Sequence, residues 1–366
     1  MGMNKGSDVA VAMSGGVDSS VAAALLQESG HRVVGVTMRL WREPSAIDVA
    51  GELGRPDDIE AARAVCAHLS IPHRILDARE TMARQVVDYF IDEYTRGRTP
   101  NPCVRCNQQV KFGWLLDQVR AMGLERLATG HYARVLQRDG EWQLLRGVDR
   151  RKDQSYFLSR LGQQELSRAL FPLGAWTKEQ VREWARQRRL PVAQRGESQD
   201  ICFLAARDYR EFLRQRVPQA LTPGPIYDRK GRLLGEHQGL AAYTVGQRGG
   251  LGISAPQPLY VIALDPARNA LIVGFREELG RDALLASEMS YIAGEPPEPG
   301  AELTCKIRYQ ARPAQARIWP LDGDRARIVF AQPLRDITPG QTAALYQGEV
   351  VVGGGTIERS YCSTKA

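Results

Sequence analysis

The stretch VAVAMSGGVDSS, residues 9–20, constrains the fold of this chain more than any other. Five apolar residues run without interruption into a serine and a glycine pair, and an alanine-rich helical period, SSVAAALLQES, follows at once. A strand that is apolar at every position is covered on both faces, which points to a parallel sheet flanked by helices. The helix opening near Val17 leaves backbone N–H groups unpaired in its first turn and presents the positive end of its dipole. Gly15 and Gly16 let the backbone close on an anion. Ser14, Ser19 and Ser20 offer hydroxyl donors, and Asp18 is placed either to cap the helix or to orient magnesium. The lysine of a G-x-x-x-x-G-K-[ST] loop is missing, so the grip on phosphate is not of the Walker type.

The alternation continues beyond the loop. VVGVTM, HRILDA and RLATG read as buried strands, while DIEAARAVCAHLS, TMARQVVDYFIDEYTRG and VKFGWLLDQVRAMG carry apolar residues at helical spacing. Residues 1–208 are therefore expected to form a doubly wound α/β domain with its ligand at the carboxyl ends of the strands. After Asp208 the chain becomes rich in turns. Residues 209–282 read as a small β-rich central domain, and residues 283–366, with TCKIRY, ARIVF and ALYQGEVVVGGGTIERSY, as a β-barrel. A length of 366 residues suits two or three such units.

Hydrophobic residues at 43% and charged residues at 25% are ordinary globular values. No segment approaches the ~18 uninterrupted apolar residues of a membrane span, and MGMNKGSDVAVAMSGG shows no apolar run before a cleavage site, so neither membrane attachment nor export is expected. Six cysteines, sparse and irregularly spaced, do not make a disulfide scaffold and suit a reducing cytoplasm. The net charge is +7, and all of that excess lies between Leu145 and Arg216, where 16 Lys and Arg face 9 Asp and Glu. Nucleic acid is thereby a candidate partner, beside the plainer reading of solvated helices such as EQVREWARQRRL.

In RTPNPCVRCNQQVKFG, Cys103 and Cys106 lie in a proline-rich loop just before a helix. The helix N-terminus, Arg105 and Lys111 are expected to favour the reactive thiolate form. A zinc site would need two more ligands, and no second CxxC or HxxxH pair exists, so no resident metal is expected. Cys202, in RGESQDICF, is surrounded by polar residues, whereas Cys66 and Cys305 read as small buried hydrophobes.

The string SGG-x-DS-S resembles the PP-loop of the ATP pyrophosphatases, which cleave ATP between the α- and β-phosphates. Taken together, AMSGGVDSS, TPNPxxxCN, TGHYAR, the KDQ of RKDQSYFLS, GESQDICF, YTVGQRGGLGI, KIRY and the PGQ of ITPGQTAALY resemble the tRNA-specific 2-thiouridylases of bacteria and mitochondria. The match runs in order from Ala12 to about Ile357. That family replaces the C2 oxygen of the wobble uridine with sulfur.

The resemblance implies that Ala12, Met13, Ser14, Gly15, Gly16, Val17, Asp18, Ser19 and Met38 contact ATP, with Gly130 closing over the nucleotide and magnesium accompanying it. It makes Cys106 the nucleophile and Cys202 the persulfide carrier. Asn101, Pro102 and Cys103 would lie against the target base. His131, Lys152, Asp153, Gln154, Arg308, Tyr309 and Gln341 would touch tRNA. It further implies a persulfide-carrying donor protein and a reductant for a Cys106–Cys202 disulfide. Many family members carry aspartate at the position of Cys103, so the proton carrier differs here, and two cysteines in one loop leave the nucleophile open on the residues alone. Two rival readings explain less: another PP-loop ligase accounts only for the loop, and a non-catalytic RNA-binding protein leaves the loop without chemistry.

Overall fold

The computed structural model describes residues 7–41, 56–196, 201–204 and 208–363. Strand β1 (Asp8–Ala12) buries Val9, Ala10 and Val11 completely, which is why its sequence shows no polar alternation. It pairs in parallel with β2 (Arg32–Arg39) on one side and β4 (Arg126–Ala128) on the other. With β3 (His73–Asp77) and β7 (Ala169–Leu170) the sheet order is β3-β2-β1-β4-β7, all parallel.

Helix α1 (Val17–Glu28) packs through Val17, Val21 and Ala22 against Leu173, Val181 and Ala185, the last two on α5 (Lys178–Gln187). Small residues on α1 let the backbones approach closely. Helix α2 is Pro56–His68; α3 and α4 are helical runs over residues 79–95 and 102–121. From Cys106 to Leu115 α4 widens to i→i+5 bonding, a form frequent at functional sites. Helix α6 (Tyr209–Arg216) follows, with Phe212 and Leu213 buried in a cluster with Phe90 of α3 and Val110 of α4.

The central unit is a four-stranded sheet of β8 (Gly224–Asp228), β9 (Leu233–His237), β10 (Tyr260–Asp265) and β11 (Ala270–Gly274) in the order β10-β11-β8-β9. The last unit is a closed six-stranded barrel of β12 (Arg281–Tyr291), β13 (Ala301–Lys306), β14 (Ala314–Pro320), β15 (Ala326–Leu334), β16 (Thr342–Gln347) and β17 (Val350–Tyr361). Its order is β12-β15-β14-β13-β16-β17, and pairing of β12 with β17 closes it. On β14, Ala316 and Ile318 point into the barrel core while Gln315 and Arg317 are exposed, the period of two that marked these segments as strands.

One feature escapes a linear division of the chain. Residues β5 (Ala133–Arg138) and β6 (Glu141–Arg146) form a hairpin whose Asp139-Gly140 turn has φ of 52° and 87°, as two-residue hairpin loops require. This hairpin leaves the α/β unit and joins the barrel sheet, where Leu145 pairs with Val350 of β17. No described helix is long and apolar enough to cross a membrane.

Candidate functional site

Strand order reverses beside β1, so the crevice between the ends of β1 and β4 is where an open α/β sheet takes its ligand. Residues 14–16 leave β1 there and residues 129–131 leave β4. Ser14 is exposed, with its hydroxyl 3.2 Å from that of Ser19. Ser20 is fully buried and donates to the Gly16 carbonyl at 2.8 Å, so it braces the turn and does not face an anion. Gly15 has φ +73°, and a Cβ there would lie 2.3 Å from the Asp58 carbonyl oxygen. A Cβ on Gly130 would lie 2.8 Å from the Ser19 nitrogen, so only glycine lets the exit of β4 rest on the first turn of α1. Met38, at the end of β2, is half-buried beside the same strands.

Asp18 corrects one expectation. The N-cap of α1 is Gly16, and the Asp18 carboxylate accepts hydrogen bonds from Lys178 Nζ at 2.7 and 2.8 Å and from Tyr132 Oη at 2.8 Å. It does not cap the helix, because Lys178, buried and 160 residues away in sequence, engages both oxygens. Among the described residues no group of three or more His, Cys, Asp or Glu side chains is arranged to hold a metal ion.

The segment leading to the cysteines is clamped by the other two units. Thr99 N–H donates to the Pro339 carbonyl at 2.9 Å, its hydroxyl lies 3.0 Å from that of Thr244, and Gln341 Nε2 donates to the carbonyls of Thr99 and Pro100 at 2.9 and 3.2 Å. Asn101 then caps α4, accepting from Val104 N–H at 3.3 Å, with Pro102 in the first helical position. Cys103 and Cys106 therefore lie within the first turns of α4 and not, as the proline-rich sequence suggests, in a loop before it, because Asn101 and Pro102 start the helix ahead of them. Cys103 is exposed, and Cys106, three residues on along the same helix face, is 8% exposed in a cluster with Phe90, Phe203 and Phe212. Phe203 carries the exposed Cys202 to the edge of that cluster.

The thiols behave differently from the expected thiolates. Although Cys103 is exposed, the protein around it desolvates the thiol and pushes it up to about 11, with Cys202 raising it further and Lys111 opposing. Burial also raises Cys106 against the pull of Lys111. Desolvation outweighs the nearby cation because a thiolate in low dielectric loses more hydration than one lysine restores. Alkylation of Cys103, followed by peptide mass spectrometry, is accordingly expected to accelerate about tenfold per pH unit from pH 7 to 10. A plateau below pH 8 would show a low-pKa thiol. Cys66 and Cys305, 1% and 0% exposed, are the small core residues the sequence suggests.

Several remaining candidates sit inward. His131 is 8% exposed, its Nδ1 2.6 Å from Thr129 Oγ1, and burial, reinforced by Lys111, holds it neutral well below the usual histidine range. Asp153 Oδ1 accepts from the N–H groups of Gly147 and Ser155, each at 3.0 Å. Gln154 Oε1 accepts from Tyr132 N–H at 3.0 Å, so it stands behind the Tyr132–Asp18–Lys178 chain. Lys152 is half-buried. Tyr309 packs on Phe157 at 4.4 Å, and exposed Arg308 pairs with Asp336 at 2.6 Å. Lys178, Tyr132, Asp58 and Arg195 escaped the sequence reading; the only local signal was the charge of Lys178 and Arg195 within the basic stretch.

That stretch is also less free than its count suggests. Arg160 pairs with Glu288, Arg186 with Glu183, Arg188 with Glu28, Arg195 with Asp58, Arg210 with Asp208, Arg150 with Glu349 and Arg214 with Glu211. Arg151 and Arg189 are among those that remain exposed.

Three family models match the chain in succession: a tRNA methyl transferase HUP domain over residues 7–206, a tRNA methyl transferase PRC-barrel domain over 210–275 and an aminomethyltransferase β-barrel domain over 281–357. The tRNA-specific 2-thiouridylase MnmA of Moorella thermoacetica is 50% identical over 353 residues, covering 95% of this chain and 98% of the relative. Its namesake from Geotalea uraniireducens is 48% identical over 365 residues, covering 98% and 96%. A solved 4-thiouridine synthetase–RNA complex with bound ATP is 16% identical with a TM-score of 0.34, covering 58% of this chain and 51% of that one, too distant to carry an argument. Near-full-length identity at this level, with the phosphate loop and the TPNP cysteine loop in order, leaves one assignment: the chain belongs to the tRNA-specific 2-thiouridylase family.

Proposed function

We propose that this chain replaces the C2 oxygen of the wobble uridine, position 34 of tRNA, with sulfur, working in a reducing cytoplasm. The observation that carries the reading is the shared neighbourhood of the two half-sites: Phe112, on the helix that carries Cys106, has its ring centroid 6.4 Å from that of His131 beyond β4, and Met38, at the end of β2, packs against the cluster that holds Cys106. An activating site and a thiol site this close suit a base that is first adenylated and then attacked.

The C2 carbonyl of uracil has a poor leaving group. Attack of O2 on the α-phosphorus of ATP breaks the bond to the β-phosphate, leaves pyrophosphate on residues 14–19 and makes AMP the leaving group. Ala12, Met13, Ser14, Gly15, Gly16, Val17, Asp18, Ser19, Met38 and Gly130 would bound the nucleotide, with magnesium arriving on the triphosphate. A persulfide on Cys202 supplies the sulfur. Its terminal sulfur either adds to C2 directly or leaves as sulfide when Cys106 attacks Cys202 Sγ. Both routes expel AMP and end in a Cys106–Cys202 disulfide, which an external dithiol reduces. A donor protein would reload Cys202.

Asn101, Pro102 and Cys103 would meet the base, splayed out of the anticodon loop. Residues 1–208 then form the catalytic domain and 209–282 the central one, while the barrel of 283–366 holds the arm through Arg308, Tyr309 and Gln341. His131, Lys152, Asp153 and Gln154 would line the approach from the α/β side.

Mass spectrometry of unmodified tRNA after incubation with the protein, magnesium, ATP and a persulfide source is expected to show one oxygen replaced by sulfur at the wobble uridine. Pyrophosphate release driven by a small metabolite without tRNA would favour the ligase reading instead. Because the exposed arginines neutralise phosphates, tRNA affinity is expected to fall by about tenfold or more between 50 and 200 mM salt, measured by filter binding. A flat salt profile would remove the electrostatic account.

A further inference from the structure

Lys306 ends β13, where Cys305 points into the barrel core, so that its neighbour points out of it. Outward here means toward the α/β unit, and Lys306 is only 9% exposed. Its ammonium lies 5.7 Å from the ring centroid of Tyr156, in the turn Ser155–Leu158, and 5.5 Å from that of Tyr309. A second cation stands at the same junction. The guanidinium of Arg146, at the end of β6, lies 4.0 Å from the Tyr346 ring centroid, and its buried Nε has no hydrogen-bond partner among the described residues.

Neither cation forms an ion pair with a described residue. The carboxylate that acts on Lys306 is Asp153, whose Oδ1 already accepts the N–H groups of Gly147 and Ser155. Burial holds the Lys306 ammonium below the usual lysine range, with Asp153 opposing and Arg146 reinforcing. Two cations beside one carboxylate leave a positive charge in excess. A lysine that only covered apolar surface would carry its charged end out to water, whereas this one turns it onto two rings. The junction also borders the cysteine helix. The turn Ser155–Leu158 packs on Pro102–Arg105 at the start of α4, and Tyr156 Oη donates to the Thr342 carbonyl at 3.0 Å, next to the Gln341 that holds Thr99 and Pro100. Half-buried Tyr309, 4.4 Å from Phe157, completes an aromatic platform beside the cations, the composition that suits single-stranded nucleic acid.

We propose that Lys306 and Arg146 form a phosphate subsite that takes a phosphodiester flanking the wobble uridine and so holds that nucleotide over the start of the cysteine helix. A phosphate oxygen there supplies the charge-assisted hydrogen bonds that the two side chains do not make within the protein. The inference rests on the reading that tRNA is the substrate.

The test is filter binding of unmodified tRNA to the full chain over a range of salt, with MgATP affinity and Tm measured on the same preparations. Lys306→Met keeps an unbranched apolar stem between the rings and removes only the charge. In that variant the tRNA Kd is expected to rise about tenfold and the slope of log Kd against log salt to fall by about one, with the MgATP Kd unchanged. Arg146→Met is expected to do the same, and reads the subsite if Lys306→Met does not fold. tRNA with a neutral methylphosphonate at one or the other linkage of the wobble uridine then locates the phosphate. One of the two is expected to weaken wild-type binding about fivefold and binding by the variant less than about twofold, since the contact is already lost there. An unchanged salt slope in Lys306→Met, or in Arg146→Met where it stands in, overturns the proposal, because a lysine that serves only packing moves Tm and leaves the slope alone. So do methylphosphonate penalties that are absent from the wild type or equal in the variant. Failure of the wild type to bind tRNA overturns the substrate reading itself, and the subsite with it.

Discussion

Cys202→Ser is expected to abolish thiolation, by about a thousandfold or more, while leaving tRNA-dependent pyrophosphate release within about threefold of the wild type. The side chain is exposed, so a serine there loses no packing and meets water. Only the persulfide is removed. Cys106→Ser is expected to stop sulfur transfer as well, but at a different cost. Its side chain is 8% exposed beside Phe90 and Phe203, and a hydroxyl placed there without a partner costs about 1–3 kcal/mol, read as a lowered Tm. Parallel assays of pyrophosphate, thiolated tRNA and melting separate the two variants. Thiolation by Cys202→Ser at the wild-type rate with a persulfide donor would remove Cys202 from the chemistry.

Gly15→Ala is expected to reduce pyrophosphate release by about a hundredfold, and Gly16→Ala by less than about tenfold. The two glycines are neighbours in the same loop, yet their surroundings differ. Gly15 has φ +73°, which costs an L-residue about 1–2 kcal/mol, and its Cβ would lie 2.3 Å from a backbone oxygen that a rotamer change cannot move. Gly16 has φ −91°, and its Cβ would meet only Ser14 Oγ at 3.4 Å, the end of a side chain and not backbone. ATP-dependent pyrophosphate release in the presence of tRNA measures both. Equal losses would mean that the loop tolerates no side chain anywhere, and that packing against Asp58 does not distinguish the two positions.

Much of the site was legible locally. VAVAM, the glycine pair and the alanine-rich helix place the phosphate loop because strand, turn and helix are each specified by consecutive residues. Asn101 and Pro102 are a cap and a first-turn proline, yet the proline-rich stretch reads as a loop, and the expectation that Cys103 and Cys106 precede the helix gives way to a helix that already begins at Pro102. The DG turn of residues 139–140 likewise signals a hairpin, but nothing near it names β17 as the neighbour of β6, some two hundred residues further on.

The expected thiolates failed for a related reason. Lys111 is visible in the sequence beside both cysteines, whereas the burial that overrides it at Cys106 comes from a cluster with Phe90, Phe203 and Phe212, contributed by other segments of the chain. Asp18 was open to two roles until Lys178 and Tyr132 were seen to engage its carboxylate.

Consecutive residues thus specify the helix-rich and strand-rich stretches of the chain and the strand-to-helix turn after β1, since both follow from backbone preference and periodicity over short distances. Packing alone sets which cation neutralises Asp18, how the Arg195 guanidinium holds the Gly15 carbonyl, and how Thr99 is clamped by Thr244, Pro339 and Gln341. Charge pairing and desolvation depend on which side chains packing brings within a few ångströms, and separation along the chain carries no record of that.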